Sequence, residues 1–295
     1  MKLVAACVAL LFAFASLASA QVPEGTQKRS ALSHYNLEKG LAISGYDPVA
    51  YFRVGGGKAR EGDPKISTTW RGVTYRFASA RNRERFLASP RRLEPAFGGW
   101  CAWAMREGEK VEIDPDRFLV ENGRLLLFYD GFFGPNTLKK WQKGDGDALG
   151  RSSAKEWQGI SGEVTPDLRH HLLDQGLALS GYDPVSYFAE GGKGPAIGKE
   201  ELAATFEGVS YRFATAANRE RFLTGPEAFV PRYGGYCAWA MAEGKKVEVD
   251  PTAFALTGDR LHLFYDASKR DDWLARTGEL QPRAERSWKG LHARP

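Results

Sequence analysis

Sulfur and imidazole are scarce in this chain: 295 residues carry 3 Cys, 3 Met and 5 His. Cys7 lies in the N-terminal apolar stretch, so Cys101 and Cys237 alone remain for the folded part, too few for a disulfide scaffold. After residue 20 no segment approaches twenty consecutive apolar residues, which excludes a membrane-spanning helix there. A surplus of one charge is missing too: the formal charge is +5, and acids are interspersed among the bases. No Lys/Arg stripe of the kind that holds nucleic acid is present. Runs such as Arg81-Asn82-Arg83-Glu84-Arg85 read as a solvated helix face. No glycine-rich loop precedes a Lys-Ser or Lys-Thr pair, so a phosphate cradle is excluded as well.

What is present starts with a leader. Lys2 supplies the positive start, Leu3 to Leu17 the apolar stretch and Ala18-Ser19-Ala20 a small-residue cleavage site. The reading is a signal peptide over 1–20 and a mature protein from near Gln21, periplasmic or secreted. Cys7 sits too far from the junction to become a lipid-anchored first residue.

The rest is written twice. Gly40 to Asp130 recurs without gaps as Gly176 to Asp266, and 51 of those 91 positions are identical. With 43% hydrophobic and 12% aromatic residues, each half can bury a core of its own. The divisions read from this repeat are an N-terminal arm over 21–35, unit one over 36–159, a flexible linker over 160–171 and unit two over 172–295.

Local signals predict an α+β fold, two tandem copies of a small domain of β-hairpins packed with short helices. Asp47-Pro48 and Asp183-Pro184 predict a capped helix of one or two turns ending at Phe52 or Phe188. Alternation around Arg71-Gly72 and Glu207-Gly208 predicts a hairpin, and Ser79 and Thr215 predict caps for helices over 80–87 and 216–223. A further helix is expected after Gly98-Gly99 through Arg106, and its counterpart through Ala242. Asn122-Gly123 marks a last hairpin, with Gly258-Asp259 as its counterpart in shifted register. Gly144 to Ser153 reads as a loop, and Trp157 and Trp288 are expected to tuck against their own units.

Gly45-Tyr46-Asp47-Pro48-Val49-Ala50-Tyr51-Phe52, Tyr75-Arg76-Phe77-Ala78-Ser79, Asn82-Arg83, Phe86-Leu87 and Gly98-Gly99-Trp100-Cys101-Ala102-Trp103 occur in this order. In these motifs the chain resembles the exported branch of YHS-domain proteins, and unit two resembles it equally through Gly181 to Phe188 and Tyr233 to Cys237. The resemblance implies a small α+β domain. It implies little about activity, since such domains are found alone and appended to heavy-metal transport ATPases and multicomponent oxygenases. Members resembling zinc ribbons carry a Cys-x-x-Cys pair; here Trp103 and Ala104 follow Cys101 instead, which removes a tetrathiolate zinc site.

The candidate chemistry centres on sulfur. Cys101 and Met105 are four residues apart, as are Cys237 and Met241, so a helix would place both sulfurs of each pair on one face. Thiolate plus thioether suits copper or another soft metal ion, and His34 and His170 are equivalent positions that can add an imidazole to each set. The competing reading makes Cys and Met buried core, and the chain a non-catalytic ligand-binding or protein-interaction module. A redox thiol and a Cys101–Cys237 bridge are further alternatives. Tyr46, Asp47 and Trp103, with Tyr182, Asp183 and Trp239, are the candidates for lining a pocket for a small ligand. Matched residues supply no common Ser/His/Asp set, so an enzyme is the least supported class.

Overall fold

The computed structural model describes residues 32–131, 136–174, 176–192 and 194–292. The expected leader and the arm up to residue 31 lie outside the described residues. The fold is α+β, built of hairpins and helices repeated twice. No helix among the described residues is long and apolar enough to cross a membrane.

Unit one opens with β1 (Leu37–Glu38) and β2 (Leu41–Ala42), followed by the hairpin β3 (Asp63–Trp70) and β4 (Val73–Phe77). β2 runs parallel to β4, giving the sheet order β1-β2-β4-β3. Alternation places Val73, Tyr75 and Phe77 of β4 inside, against Phe86 of α1 (Ala80–Ala88). Ser79 caps α1 as the sequence indicates, its hydroxyl accepting from the Asn82 amide at 3.1 Å. Pro90 opens α2 (Pro90–Leu93) as well as ending the segment before it. α3 (Ala102–Met105) is shorter than expected. β5 (Asp114–Glu121) and β6 (Arg124–Phe128) then form a second hairpin, and α4 (Thr137–Gln142) and α5 (Gly146–Ser161) close the unit.

Unit two repeats this order: β7 (Leu173–Asp174), β8 (Leu177–Ala178), β9 (Lys199–Phe206), β10 (Val209–Phe213), α6 (Ala216–Thr224), α7 (Ala238–Ala242), β11 (Asp250–Thr257), β12 (Arg260–Phe264), α8 (Ala267–Ala275) and α9 (Thr277–His292). Its sheet order is β7-β8-β10-β9. Asn122-Gly123 and Gly258-Asp259 take positive φ at equivalent positions, so the two turns share one register and the expected shift is absent.

Three further expectations change. The Asp-Pro segments form successive turns in place of a helix, although each carboxylate accepts the local amide as a cap would and reaches distant partners as well. The buried Asp47 carboxylate accepts from the amides of Val49 at 2.8 Å and Ala78 at 2.9 Å and from the Asn82 side chain at 2.6 Å. Asp183 repeats the pattern with Val185, Ala214 and Asn218 at 2.8, 2.9 and 2.7 Å. Each aspartate thus ties the turn to the β4–α1 or β10–α6 junction. Gly144 to Ser153 is mostly helical: Asp145 caps α5, and the Ser153 hydroxyl reaches the Ala102 carbonyl at 2.9 Å.

The linker is anchored at separate points, with exposed residues such as Val164 between them. Residues 160 and 161 end α5, Glu163 is buried and Leu168 belongs to the core of unit two. The units also meet where α1 faces β9: Glu200 accepts from Arg81 at 3.1 Å and from Arg85 at 3.0 Å. Loss of the Asp183 carboxylate takes the acceptor from two backbone amides and from one N–H of Asn218, whose other bond goes to the Gly191 carbonyl. Asp183→Ala is expected to cost roughly 3 kcal/mol or more in urea unfolding; a loss below about 1 kcal/mol would contradict the role given to this carboxylate.

Candidate functional site

The sulfur pairs lie in sealed surroundings, with each Met inside its short helix and each Cys at the cap position before it. Cys101, Met105 and Met241 are 0% exposed and Cys237 is 1% exposed. Each Cys sits just ahead of its helix and is tied by a parallel bridge to the last hairpin, Cys101 to Leu127 and Cys237 to Leu263. Met105 packs with Phe128, Trp141 and Trp157, and Cys237 and Met241 pack with Phe264 and Trp273 among alanines. The Thr137 hydroxyl stands 3.5 Å from the Cys101 sulfur. Both thiols are free, so the Cys101–Cys237 bridge is not made.

The histidines proposed beside them have other neighbours. The His34 carbonyl accepts from the Trp100 indole at 2.6 Å. The His170 ring stacks on His292 with centroids 4.3 Å apart, and its Nδ1 lies 3.2 Å from the Lys246 ammonium. Burial, then Lys246 and His292, hold its pKa down at about 4. Among the described residues no group of three or more His, Cys, Asp or Glu is placed to hold a metal ion.

The aromatic candidates do not converge either. Arg106 lies over Trp103 at 3.7 Å, and Lys269 over Trp239 at 4.0 Å, where the indole also donates to Asp272 at 2.5 Å. Tyr46 and Tyr182 each bridge to a neighbouring segment, at Glu61 and Ile197. Asp47 and Asp183 are the clamps already described.

A cavity of about 540 Å³ opens instead in unit two, between the β7–β8 ribbon, β10, the turn Arg232–Gly235, β12 and α9. Leu173, Val209, Tyr211, Val230, Leu263 and Trp288 give it apolar and aromatic walls. Two of its polar atoms are buried without a partner, Nε of Arg260 and Nδ1 of His171. Burial lowers the His171 pKa, which favours the neutral ring. Arg232 is engaged by Glu285. The carboxylates Asp174, Glu207 and Glu248 are exposed and stand at the mouth.

Unit one handles the same place differently. Tyr35 replaces His171, Arg71 replaces Glu207, Glu94 replaces Val230, and Arg124 corresponds to Arg260. The Glu163 carboxylate enters from the end of α5 and accepts from the Tyr35 hydroxyl at 2.8 Å and the Arg71 guanidinium at 2.8 Å. Side chains of this pair are only 10% and 11% exposed. Desolvation, then the bond to Glu163, pushes the Tyr35 pKa up. Burial lowers that of Arg124 to about 10, with Glu94 and Glu163 opposing the shift. Trp157 seals this end, its ring so close to Gly98 that a Cβ there would stand 2.5 Å from Cη2; φ at Gly98 is +63°.

None of Arg260, His171, Trp288 or Glu163 was a sequence candidate. The available signal was the change of charge between matched positions of the two copies, Arg71 against Glu207 and Glu94 against Val230, around a retained arginine. Compared with protein-family models, curated proteins and solved structures, the chain shows no match.

His262 marks another difference between the units, since Leu126 fills its place in unit one. It is 0% exposed, packed on Trp273 at 5.2 Å and Tyr233 at 5.8 Å. The Arg260 carbonyl 3.0 Å from Nδ1 can only accept, so Nδ1 carries the proton and Nε2 is left without a partner. Desolvation first, and the nearby Arg232 and Arg260 charges, hold its pKa down at about 4 against the pull of Glu285. A depressed histidine supports the fold fully above the unfolded value of about 6.5 and loses that support as pH falls toward about 4. His262→Leu is expected to raise stability by about 1–3 kcal/mol in urea unfolding and to flatten its decline between those pH values. An unchanged pH profile would show that another group sets it.

Proposed function

We propose that this chain is a two-unit, non-catalytic ligand-binding module in which the Cys and Met residues are structural. The working cavity is the one in unit two. The observation that carries this reading is a space of about 540 Å³ with aromatic and aliphatic walls and two buried, unpaired polar atoms. That size and lining are typical of small-molecule sites, where a few polar groups fix orientation and the apolar walls supply most of the affinity. At the matched place unit one keeps a smaller cavity of about 420 Å³, lined by Tyr35, Glu94, Arg124 and Trp157, with its own Glu163 seated in the wall against Tyr35 and Arg71. The resemblance of the motifs to exported YHS-domain proteins, together with the leader-like first twenty residues, supports placement in the periplasm or outside the cell.

Soft-metal binding by the Cys/Met pairs is the competing proposal. The spacing of the sulfurs along one turn favours it, and their burial requires a local opening before a cation can enter.

Two measurements separate the readings. Nile red, an uncharged dye, is expected to saturate at about one equivalent per chain, and Val230→Trp to remove that binding by filling the cavity wall. Both thiols are expected to react with a disulfide reagent only on unfolding, and Cu(I) under reducing conditions to find no tight site. Two tight Cu(I) equivalents, falling to one in Cys101→Ser, would replace the cavity reading with the metal reading.

A further inference from the structure

Resting on the cavity reading above, we propose that the unit-two site takes a small organic monocarboxylate, its carboxylate held by Arg260 and its apolar body lying among Leu173, Val209, Tyr211 and Trp288.

In unit one the matched arginine, Arg124, lies in the field of two carboxylates, Glu94 and Glu163. Both carboxylates line one cavity with Arg124. In unit two the first position is Val230, an uncharged side chain. Nothing in the described chain takes the part of the second: Arg260 makes no ion pair among the described residues, and its Nε is buried without an acceptor. A guanidinium half-withdrawn from water and lacking an anion is an unfilled site for one, because an N–H donor shut off from water costs free energy until it is paired. Its fork of donors matches a carboxylate best.

The body of the ligand follows from the walls. They are aliphatic and aromatic, and Trp288 stands half-buried at the α9 side, offering a ring face. His171 Nδ1, also buried and unpaired, is the second polar contact available to the ligand. It occupies the position from which Tyr35 donates to Glu163 in unit one, so the two units place a polar group at the same point around a carboxylate. The mouth sets the charge. Asp174, Glu207 and Glu248 are exposed around it and disfavour a second negative group pointing outward. A dicarboxylate is thereby rejected relative to a monocarboxylate of similar size.

The test compares phenylacetate with phenylacetamide, nearly equal in shape and differing in charge, by titration calorimetry on the full chain. Phenylacetate is expected to bind about tenfold or more tightly than the amide, the worth of one charge-assisted hydrogen bond. Arg260→Met is expected to reduce the acid to the affinity of the amide, Arg260→Lys to keep part of the preference, and Arg124→Met in unit one to leave it intact. Phenylenediacetate is expected to bind more weakly than phenylacetate. Equal affinity for acid and amide in the unaltered protein would overturn the carboxylate assignment while leaving the cavity as a binding site. Binding of neither compound, with no Nile red binding, would overturn the cavity reading together with it.

Discussion

One buried carboxylate, Glu163, marks the structural difference between the two halves of this molecule. It is held by the Arg71 guanidinium and the Tyr35 hydroxyl, both at 2.8 Å, with little of either ionic side chain exposed. A carboxylate withdrawn from water in this way is tolerated only because both partners are there, and losing one leaves an uncompensated charge. The bond therefore fixes the course of the chain after α5: the Ser161 hydroxyl accepts from the Glu163 amide at 3.1 Å, and five residues later Leu168 is inside unit two. What reads as a tether between two beads is a packed strap. It walls the unit-one cavity with Glu163 and enters the core of unit two with Leu168.

The duplicated architecture around this strap is sustained by repeated local devices. Asp47 and Asp183 each gather two backbone amides and an asparagine side chain, so the turn before the long hairpin and the helix after it are joined by one carboxylate. Each unit divides its core into two lobes, one between the larger sheet and its first helix, the other under the last hairpin and the long closing helix. The sulfur pairs belong to or border the second lobe. There Cys behaves as a small apolar residue and Met as an adaptable filler between aromatic rings.

Much of the framework was legible because it rests on short-range rules. Ser79 and Thr215 cap their helices, Asn122-Gly123 turns its hairpin, and alternation in β4 buries Val73, Tyr75 and Phe77. The misreadings have equally specific causes. Asp47-Pro48 carries the signature of a helix start, but the carboxylate is committed to Ala78 and Asn82, partners that local sequence cannot reveal. α5 contains Gly146, Gly150 and Gly159, a composition that argues for a loop; tertiary packing of Trp157 and the bond from Ser153 to Ala102 override that propensity. The spacing of Cys101 and Met105 carries no information on burial: Met105 faces Trp141 in the core, and Cys101 is the buried cap residue ahead of α3. The cavity was invisible for the same reason, its polar groups coming from β7, β12 and α9, far apart along the chain.

The central claim is that Glu163 is bound within unit one by Arg71 and Tyr35, while among the described residues no carboxylate is paired with Arg260 at the matched place in unit two. A double-mutant cycle in the full chain tests it most directly, comparing unfolding free energies of Arg71→Met, Glu163→Gln and the double variant. The account predicts a coupling energy of about 2–3 kcal/mol, the range for contacting residues in a buried charged network. A coupling below about 0.5 kcal/mol, as for independent surface residues, would contradict it.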